Sequence, residues 1–258
     1  MSSASAKPVT YPQLLLLGDS ITERSSLTLQ AYLSDTYARR LDVINRGLGG
    51  CNAVQGLKLL NHLYPASCDF SSMPQVKLAL VAFGANDATL PQAKVGCTSR
   101  VDFQLALRDM VRHPAFAAMG TKVVLVTPPP INEHQLFREE WGASWSAART
   151  REYRDIVLEV GKEEGVPVVD IWLLFMRLAG GDPDAPPNGL NGNMEAPQSP
   201  VLQKLLEEGL HLTDKGYRVV YDEVMRVLAE EAHEVLPGSL PLAVSMPMDE
   251  DGELQFIN

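Results

Sequence analysis

Five short apolar runs recur along the chain, separated by longer stretches in which apolar residues return every three or four positions. The apolar runs lie at 14–18, 41–45, 76–84, 121–130 and 166–172. The helically spaced stretches lie at 27–40, 53–65, 101–113, 144–165 and 213–236, with a shorter one at 201–207. Continuous apolar strands that alternate with amphipathic helices predict an α/β fold, with a parallel sheet covered by helices on both faces.

The same pattern predicts one domain with a flanking segment at each end. We expect an N-terminal extension at 1–12, the domain at 13–236 and a C-terminal tail at 237–258. Within the domain, 180–200 is rich in Gly, Pro and Asn, which is typical of an irregular insert loop. The tail contains an apolar stretch, so it either docks on the body or a partner chain or is frayed.

Composition narrows the classes of partner. The chain has 258 residues, 45% of them hydrophobic, which is enough for a well-buried core. Its formal net charge is −10 and no block of Lys or Arg stands out, so we expect no nucleic acid partner. An anionic membrane surface would repel the chain as well, so we expect no stable membrane association.

The cysteines and the N-terminal residues indicate the cellular compartment of the protein. Three cysteines cannot all pair within the chain, and Cys51, Cys68 and Cys97 form no CxxC motif. They are interpreted as packed thiols in a reducing compartment. The opening MSSASAKPVTYPQ lacks the apolar stretch of a signal peptide, and no apolar run approaches the roughly 20 residues that span a bilayer. We therefore expect a cytoplasmic protein.

Chemically active residues follow the predicted strands. The first strand ends in Gly-Asp-Ser at Ser20, the second runs into NRGLGGCN at 45–52, and the third ends in GAND, which contains Asn86. His211 lies just before the last helix. Because the carboxyl ends of parallel strands meet at one edge of a sheet, these groups are expected to converge there. A hydroxyl, an imidazole and amide donors are the parts that acyl transfer requires.

Structural roles compete with this interpretation. Ser20, Asn86 and the glycines are common turn and cap residues, and His211 is also typical of a surface position before a helix. The glycines at 47–50 lack the GK[ST] ending of a phosphate-binding loop. The remaining histidines show no ligand spacing, so no metal is predicted.

The segments LLLLGDSITE, NRGLGG, GAND and EGLHLTDKGY, in this order, resemble the SGNH, or GDSL-type, hydrolase family over roughly 13–235. VTPPPINE at 126–133 adds a likeness to the isoamyl acetate-hydrolysing esterase branch. The resemblance implies a three-layer α/β/α sandwich with a five-stranded, flavodoxin-like parallel sheet. It also implies a serine esterase for small carboxylic esters, acetate esters above all, without a cofactor and as a possible homodimer.

Carried onto this sequence, the resemblance makes Ser20 the nucleophile and His211 the general base. The oxyanion hole would comprise the backbone N–H groups of Ser20 and Gly50 and the side-chain amide of Asn86. Gly50 is preferred to Gly47 and Gly49 because it follows Asn45 by five residues, as in the family's second segment.

The orienting acid departs from the family pattern. The family has Asp three residues before the histidine, and this chain has Glu208 there. Glu is one methylene longer, so its approach to the imidazole must differ. Glu208 is expected to hold the imidazole, with Glu207, Asp214 or a backbone carbonyl as alternatives.

Leu48, Phe83 and Leu210 adjoin the motif residues and are predicted to line the substrate pocket, although core packing explains Phe83 equally well. Three other functions remain open from the sequence. The first is another hydrolase with the same residues, namely a lysophospholipase, a thioesterase or a sugar acetylesterase. The second is a non-catalytic binding module of the same fold, and the third is a nucleotide-binding flavodoxin-like domain.

Overall fold

The computed structural model describes residues 10–93, 96–140 and 142–244, and the elements below lie within these ranges. The strands are β1 (Gln13–Gly18), β2 (Asp42–Gly47), β3 (Val76–Ala82), β4 (Lys122–Val126) and β5 (Val168–Val169). The helices are α1 (Ser20–Glu23), α2 (Leu29–Thr36), α3 (Ala53–Leu63), α4 (Arg100–Val111), α5 (Pro114–Met119), α6 (Glu133–Leu136), α7 (Ala147–Glu164), α8 (Ile171–Leu178), α9 (Pro200–Leu205) and α10 (Asp214–Glu231).

The strands form one parallel sheet in the order β2-β1-β3-β4-β5. This is the flavodoxin-like order, so the predicted α/β fold is confirmed. Gly18 at the end of β1 pairs with Gly47 of β2 on one side and with Ala82 of β3 on the other. The carboxyl ends of the three strands are therefore level, and the segments that follow them meet at one edge, beside the point where the strand order reverses.

Alternate residues of each central strand enter two separate cores. Leu14 and Leu16 of β1 pack in a buried cluster with residues of α10 such as Val224. Leu15 and Leu17 pack on the opposite face with residues of α4 and α7 such as Phe103. Because both faces of the sheet are covered, the strands read as continuous apolar runs, and the three layers are those predicted.

Several predicted bounds are wrong. The run at 166–172 was expected to be a strand, but only Val168–Val169 pairs with β4, and α8 begins at Ile171. Asp170 ends the strand and caps this helix, since its carboxylate accepts a hydrogen bond from the N–H of Leu173 at 3.0 Å. An apolar run alone does not distinguish a buried strand from a buried helix.

Two other element bounds also differ from the pattern. The helix expected at 27–40 is α2 alone, preceded by α1 and a 3₁₀ turn at Arg24–Leu27. The strand expected at 121–130 ends at Val126, before three consecutive prolines. The long helices have clear caps: Gly165 ends α7 in a left-handed conformation, and the Thr213 hydroxyl accepts from the N–H of Gly216 at the start of α10.

The insert and the beginning of the tail both pack on the body. The insert at 180–200 is irregular apart from a 3₁₀ turn at Pro187–Gly189, and Leu190 within it is fully buried beside α8. In the tail, Leu240 packs against the α10 core, and the N–H of Ala243 donates to Arg39 O at 2.9 Å. Docking on the body, one of the predicted alternatives, is therefore what 237–244 shows, while 245–258 lies outside the described residues. The homodimer stays a prediction.

In the part of the chain that the structure describes, no helix has both the length and the apolar character needed to cross a membrane. All three cysteines are free thiols, with Cys51 buried and Cys68 and Cys97 exposed. The cytoplasmic location stays a prediction.

Candidate active site

Ser20 lies at the end of the central strand, on the first turn of a helix. Asp19 caps α1, because its carboxylate accepts a hydrogen bond from the N–H of Ile21 at 2.9 Å. Ser20 is consequently the first residue of α1, where the backbone N–H has no acceptor within the helix. The hydroxyl therefore lies at the carboxyl edge of the sheet, next to a backbone N–H that the helix itself leaves without an acceptor.

The structure brings His211 and Glu208 to this hydroxyl. Ser20 Oγ lies 2.9 Å from His211 Nε2, and His211 Nδ1 is hydrogen-bonded to Glu208 Oε1. The other candidate acids have different places. Glu207 forms an exposed ion pair with Arg24, with 3.6 Å between Oε2 and Nη1, and Asp214 is the first residue of α10. The group on Nδ1 is thus Glu208, despite its extra methylene.

The surroundings of Glu208 keep it ionised. Burial is the largest influence and acts to raise the pKa of this carboxyl, but the hydrogen bond with His211 and nearby backbone hydrogen bonds outweigh it, so the pKa is lowered. An ionised Glu208 accepts from Nδ1–H, which leaves the lone pair of Nε2 directed at Ser20. Its second oxygen, Oε2, is buried and has no hydrogen-bond partner among the described residues.

Two further amide donors lie on the segments that follow β2 and β3, at the same edge of the sheet as Ser20. Gly50 is exposed, adopts a left-handed φ of +74°, and its N–H has no backbone acceptor in the described ranges. Asn86, only 9% exposed, donates one Nδ2 hydrogen to Cys51 O at 3.0 Å, which leaves its second hydrogen available. The loop of Gly50 passes beside the serine, because a Cβ added at Gly49 would lie 3.9 Å from Ser20 Cβ.

Two buried carboxyl groups, Asp19 and Asp87, hydrogen-bond to the backbone at the starts of α1 and α3. Both oxygens of Asp87 accept from the N–H of Ala53, at 3.0 and 3.2 Å, which ties the turn after β3 to the start of α3. Burial raises the pKa of Asp19 to about 7 and that of Asp87 to about 6. Burial, with these two carboxyls, also raises the pKa of the Cys51 thiol to about 11, so this cysteine stays protonated and is a packing residue.

The residues predicted to line the pocket are placed differently. Leu48 is half exposed, at 50%, on the loop beside the serine. Leu210 is buried against Ile131 and Leu136. Phe83 is buried with its ring against Gly56 and also borders an apolar cavity of about 50 Å³ between the sheet and α10. Its placement favours core packing, the alternative from the sequence, over a place in an open pocket wall.

Asn45 and Tyr217 hold the segments around Ser20 in place, and the sequence analysis assigns no role to either residue. Asn45 joins β2 to α1, since its Nδ2 donates to Thr22 O at 2.8 Å and its Oδ1 accepts from Gly47 N at 2.8 Å. Tyr217 of α10 donates its hydroxyl to Ile21 O at 2.6 Å, beside Ser20. Both lie within the quoted segments, and that membership is the sequence signal that points to them.

Across the described ranges, no group of three or more His, Cys, Asp or Glu side chains is arranged to hold a metal ion. The independence of metals and cofactors stays a prediction.

Comparisons with known proteins place the sequence among esterases and lipases. Residues 16–219 match the model of the GDSL-like lipase/acylhydrolase family. A GDSL esterase/lipase of Arabidopsis thaliana is 32% identical over 89% of this chain and 91% of its own length. An isoamyl acetate-hydrolyzing esterase 1 homolog of Bos taurus is 29% identical over 92% of this chain and 89% of its own length.

The fold itself recurs in solved structures. A lipase/acylhydrolase from Enterococcus faecalis superposes with a TM-score of 0.60 at 21% identity, over 90% of this chain and 98% of that one. The family match and the plant relative both span most of the sequence. The chain therefore belongs to the GDSL-like lipase/acylhydrolase family and is a carboxylic ester hydrolase.

Proposed function

We propose that this chain hydrolyses small carboxylic esters, in particular acetate esters of short alcohols such as isoamyl acetate, through an acyl-enzyme on Ser20. The observation that carries the proposal is the 2.9 Å separation of Ser20 Oγ and His211 Nε2, with Glu208 on the opposite nitrogen of the imidazole. A nucleophile, a base and an orienting acid in this order are the parts of a serine hydrolase.

In the first half of the reaction, His211 Nε2 takes the proton of the Ser20 hydroxyl as Oγ attacks the ester carbonyl. The negative charge passes to the carbonyl oxygen of the tetrahedral intermediate. When the C–O bond to the alcohol breaks, His211 gives its proton to the leaving oxygen. The acyl group is then bound to Ser20, and the alcohol departs neutral.

In the second half, a water molecule takes the place of the alcohol. His211 removes one proton from the water as its oxygen attacks the acyl carbonyl, and returns that proton to Ser20 Oγ when the second intermediate collapses. Glu208 stays ionised throughout and stabilises the imidazolium that forms in each half. The products are a carboxylic acid and the restored serine.

The developing oxyanion needs donors that are fixed before the reaction. The N–H of Ser20, at the positive end of α1, is one such donor, and the N–H of Gly50 and the free hydrogen of Asn86 Nδ2 are the others in our proposal. Asn86 is held by its bond to Cys51 O, so it would not need to reorient as charge develops.

The residues around Ser20 leave it open to a substrate. Leu48, Gly49 and Gly50 beside Ser20 are exposed, so the serine is accessible without movement of a cover. The bovine relative supports the acetate ester of a short branched alcohol as the substrate to test first.

The test is turnover of isoamyl acetate together with p-nitrophenyl acetate, butyrate and octanoate and an acetylated xylo-oligosaccharide. Labelling by a serine-reactive phosphonate runs in parallel. Ser20→Ala is the inactive variant, and Ser26→Ala is the matched control, because Ser26 is an exposed serine whose hydroxyl donates only to Glu23 O.

We expect labelling and acetate ester turnover in the wild type and in Ser26→Ala, and neither in Ser20→Ala. A wild type that is neither labelled nor active would contradict the proposal and favour a binding module. Preferred turnover of the octanoate or of the acetylated sugar would contradict the short acetate ester as substrate while leaving the acyl-enzyme in place.

A further inference from the structure

The catalytic acid and base lie on a short hairpin with few bonds of its own. Leu206 and Leu212 form an isolated antiparallel bridge, and the N–H of Glu207 donates to His211 O at 2.8 Å. Glu208, Gly209 and Leu210 form the tip between them. A hairpin this short is only marginally stable by itself. The position of this hairpin relative to Ser20 therefore depends on the residues that it contacts.

Gln135 on α6 provides two of these contacts. Its Nε2 donates to Glu207 O at 2.7 Å and to Leu206 O at 3.1 Å, the two carbonyls that precede Glu208. Its Oε1 accepts from Asn132 Nδ2 at 2.7 Å, which fixes the orientation of the amide. Both hydrogens of the amide nitrogen therefore have acceptors on the hairpin.

The backbone of Asn132 binds the other side of the tip. Its N–H donates to Gly209 O at 2.8 Å. Gly209 has a φ of +102°, and a Cβ there would lie 2.4 Å from Asn132 O, so this close approach requires glycine. The carbonyls on both sides of Glu208 are thus bound by the 132–135 segment.

The 132–135 segment is itself fixed by the insert and by α7. The Glu133 carboxylate accepts from the N–H of Ala147, the first residue of α7, at 2.7 Å and from the N–H of Met194 at 2.9 Å. His134 Nε2 lies 2.9 Å from Ala196 O. The insert at 180–200 therefore supports the segment that binds the hairpin.

From these contacts we infer that Gln135 is a positioning residue, which fixes the Glu208–His211 pair against Ser20 through the backbone of the hairpin. The inference rests on the proposed function. Ser20 begins α1, directly after β1, whereas Glu208 and His211 lie on the hairpin, so a displacement of the hairpin relative to α1 alters the 2.9 Å contact directly. A misplacement of about 1 Å at a reacting centre costs on the order of 10²-fold in rate.

The test compares Gln135→Leu and Gln135→Glu with the wild type on p-nitrophenyl acetate. Leu lacks both donors, and Glu keeps the shape but places a carboxylate oxygen against two carbonyls. We expect kcat to fall by about 10²-fold, with KM unchanged and a cooperative thermal unfolding transition preserved. Gln203→Leu is the matched control. It removes one side-chain hydrogen bond, from Gln203 Nε2 to Gln198 Oε1 at 3.1 Å, at an exposed position on α9.

Each other outcome contradicts the inference. An active wild type whose Gln135 variants keep full kcat would remove the positioning role, and so would a raised KM at unchanged kcat, which indicates substrate binding. Loss of the cooperative transition in either variant would assign Gln135 to the stability of the whole chain. An inactive wild type would instead contradict the proposed function, and this inference with it.

Discussion

Ser20 Oγ lies 2.9 Å from His211 Nε2 although 191 positions separate the two residues in the chain. Ser20 follows the end of the central strand β1. Helix α10 begins shortly after His211 and packs on the same sheet. The hydroxyl of Tyr217 on α10 donates to Ile21 O at 2.6 Å, which ties the last helix to the turn of Ser20. The Ser20–His211 contact is therefore assembled by the packing of α10 on the sheet.

Glu208→Gln is expected to lower turnover by about 10²–10⁴-fold. The amide has the same shape, but it cannot stabilise the imidazolium, and its NH₂ group favours the tautomer with the proton on Nε2. The measurement is kcat on p-nitrophenyl acetate at neutral pH. Glu207→Gln, which removes the exposed neighbouring acid, is expected to leave kcat unchanged, and the reverse result would make Glu207 the orienting acid.

Gly50→Ala is expected to reduce turnover by more than its effect on folding explains. A Cβ at Gly50 would have no heavy atom within 4 Å, so the cost comes from the left-handed backbone, with a φ of +74°, and is about 1 kcal/mol in the free energy of unfolding. The same strain alters the direction of the N–H that we propose as an oxyanion donor.

Gly120→Ala is the control for this substitution. Gly120 has a φ of +63° and equally open surroundings, but it lies between α5 and the amino end of β4, at the edge of the sheet opposite the proposed catalytic residues. Both variants should lose about 1 kcal/mol in urea unfolding, and Gly50→Ala alone should lose activity. Equal turnover in the two variants would remove Gly50 from the oxyanion hole.

Asn86→Ala is expected to lower kcat by about 10²–10³-fold, as for other side-chain donors to an oxyanion. The substitution also leaves Cys51 O without its donor, at a cost of about 1–3 kcal/mol in stability. Unfolding measured alongside kcat separates the two effects. If kcat stays within the wild-type range while stability falls, Asn86 is a structural cap at the end of β3.

The sequence predicts well that Ser20 and Asn86 lie at one edge of the sheet, because each follows a fully apolar strand and the carboxyl ends of parallel strands share an edge. It does not predict the partners of Gln135, which lie 71 and 72 positions further along the chain. Neither hydropathy nor a local motif specifies which backbone carbonyls an amide will meet after folding. The role of the insert stays hidden for the same reason, since its support of α6 runs through backbone groups.

The hydropathy pattern also fails to predict where short strands and helices begin and end. Val168–Val169 and the first two residues of α8 fall within one predicted strand at 166–172, and the chain changes from strand to helix at Asp170, whose side chain caps α8. That carboxylate also binds Arg154 at 2.5 Å, a contact with α7 that no local pattern indicates.

Asp19→Asn is expected to change how the stability of the fold depends on pH. Burial raises the pKa of Asp19 from its ordinary 3.8 to about 7, so between these values the folded chain keeps a proton that the unfolded chain has released. Asp19 therefore stabilises the fold below about pH 4, and this contribution is lost as pH rises to about 7. Asn still accepts from the N–H of Ile21 but does not titrate.

The free energy of unfolding in urea, measured at intervals from pH 4 to pH 8, should fall less steeply in Asp19→Asn than in the wild type, and the variant should be the more stable one at pH 8. A slope remains, because burial also raises the pKa of Asp87, to about 6. Asp109→Asn, at an exposed position on α4, should reproduce the wild-type curve. If Asp19→Asn does so as well, Asp19 is ionised in the fold at neutral pH, and the buried carboxyl beneath the serine carries a charge that the site must accommodate.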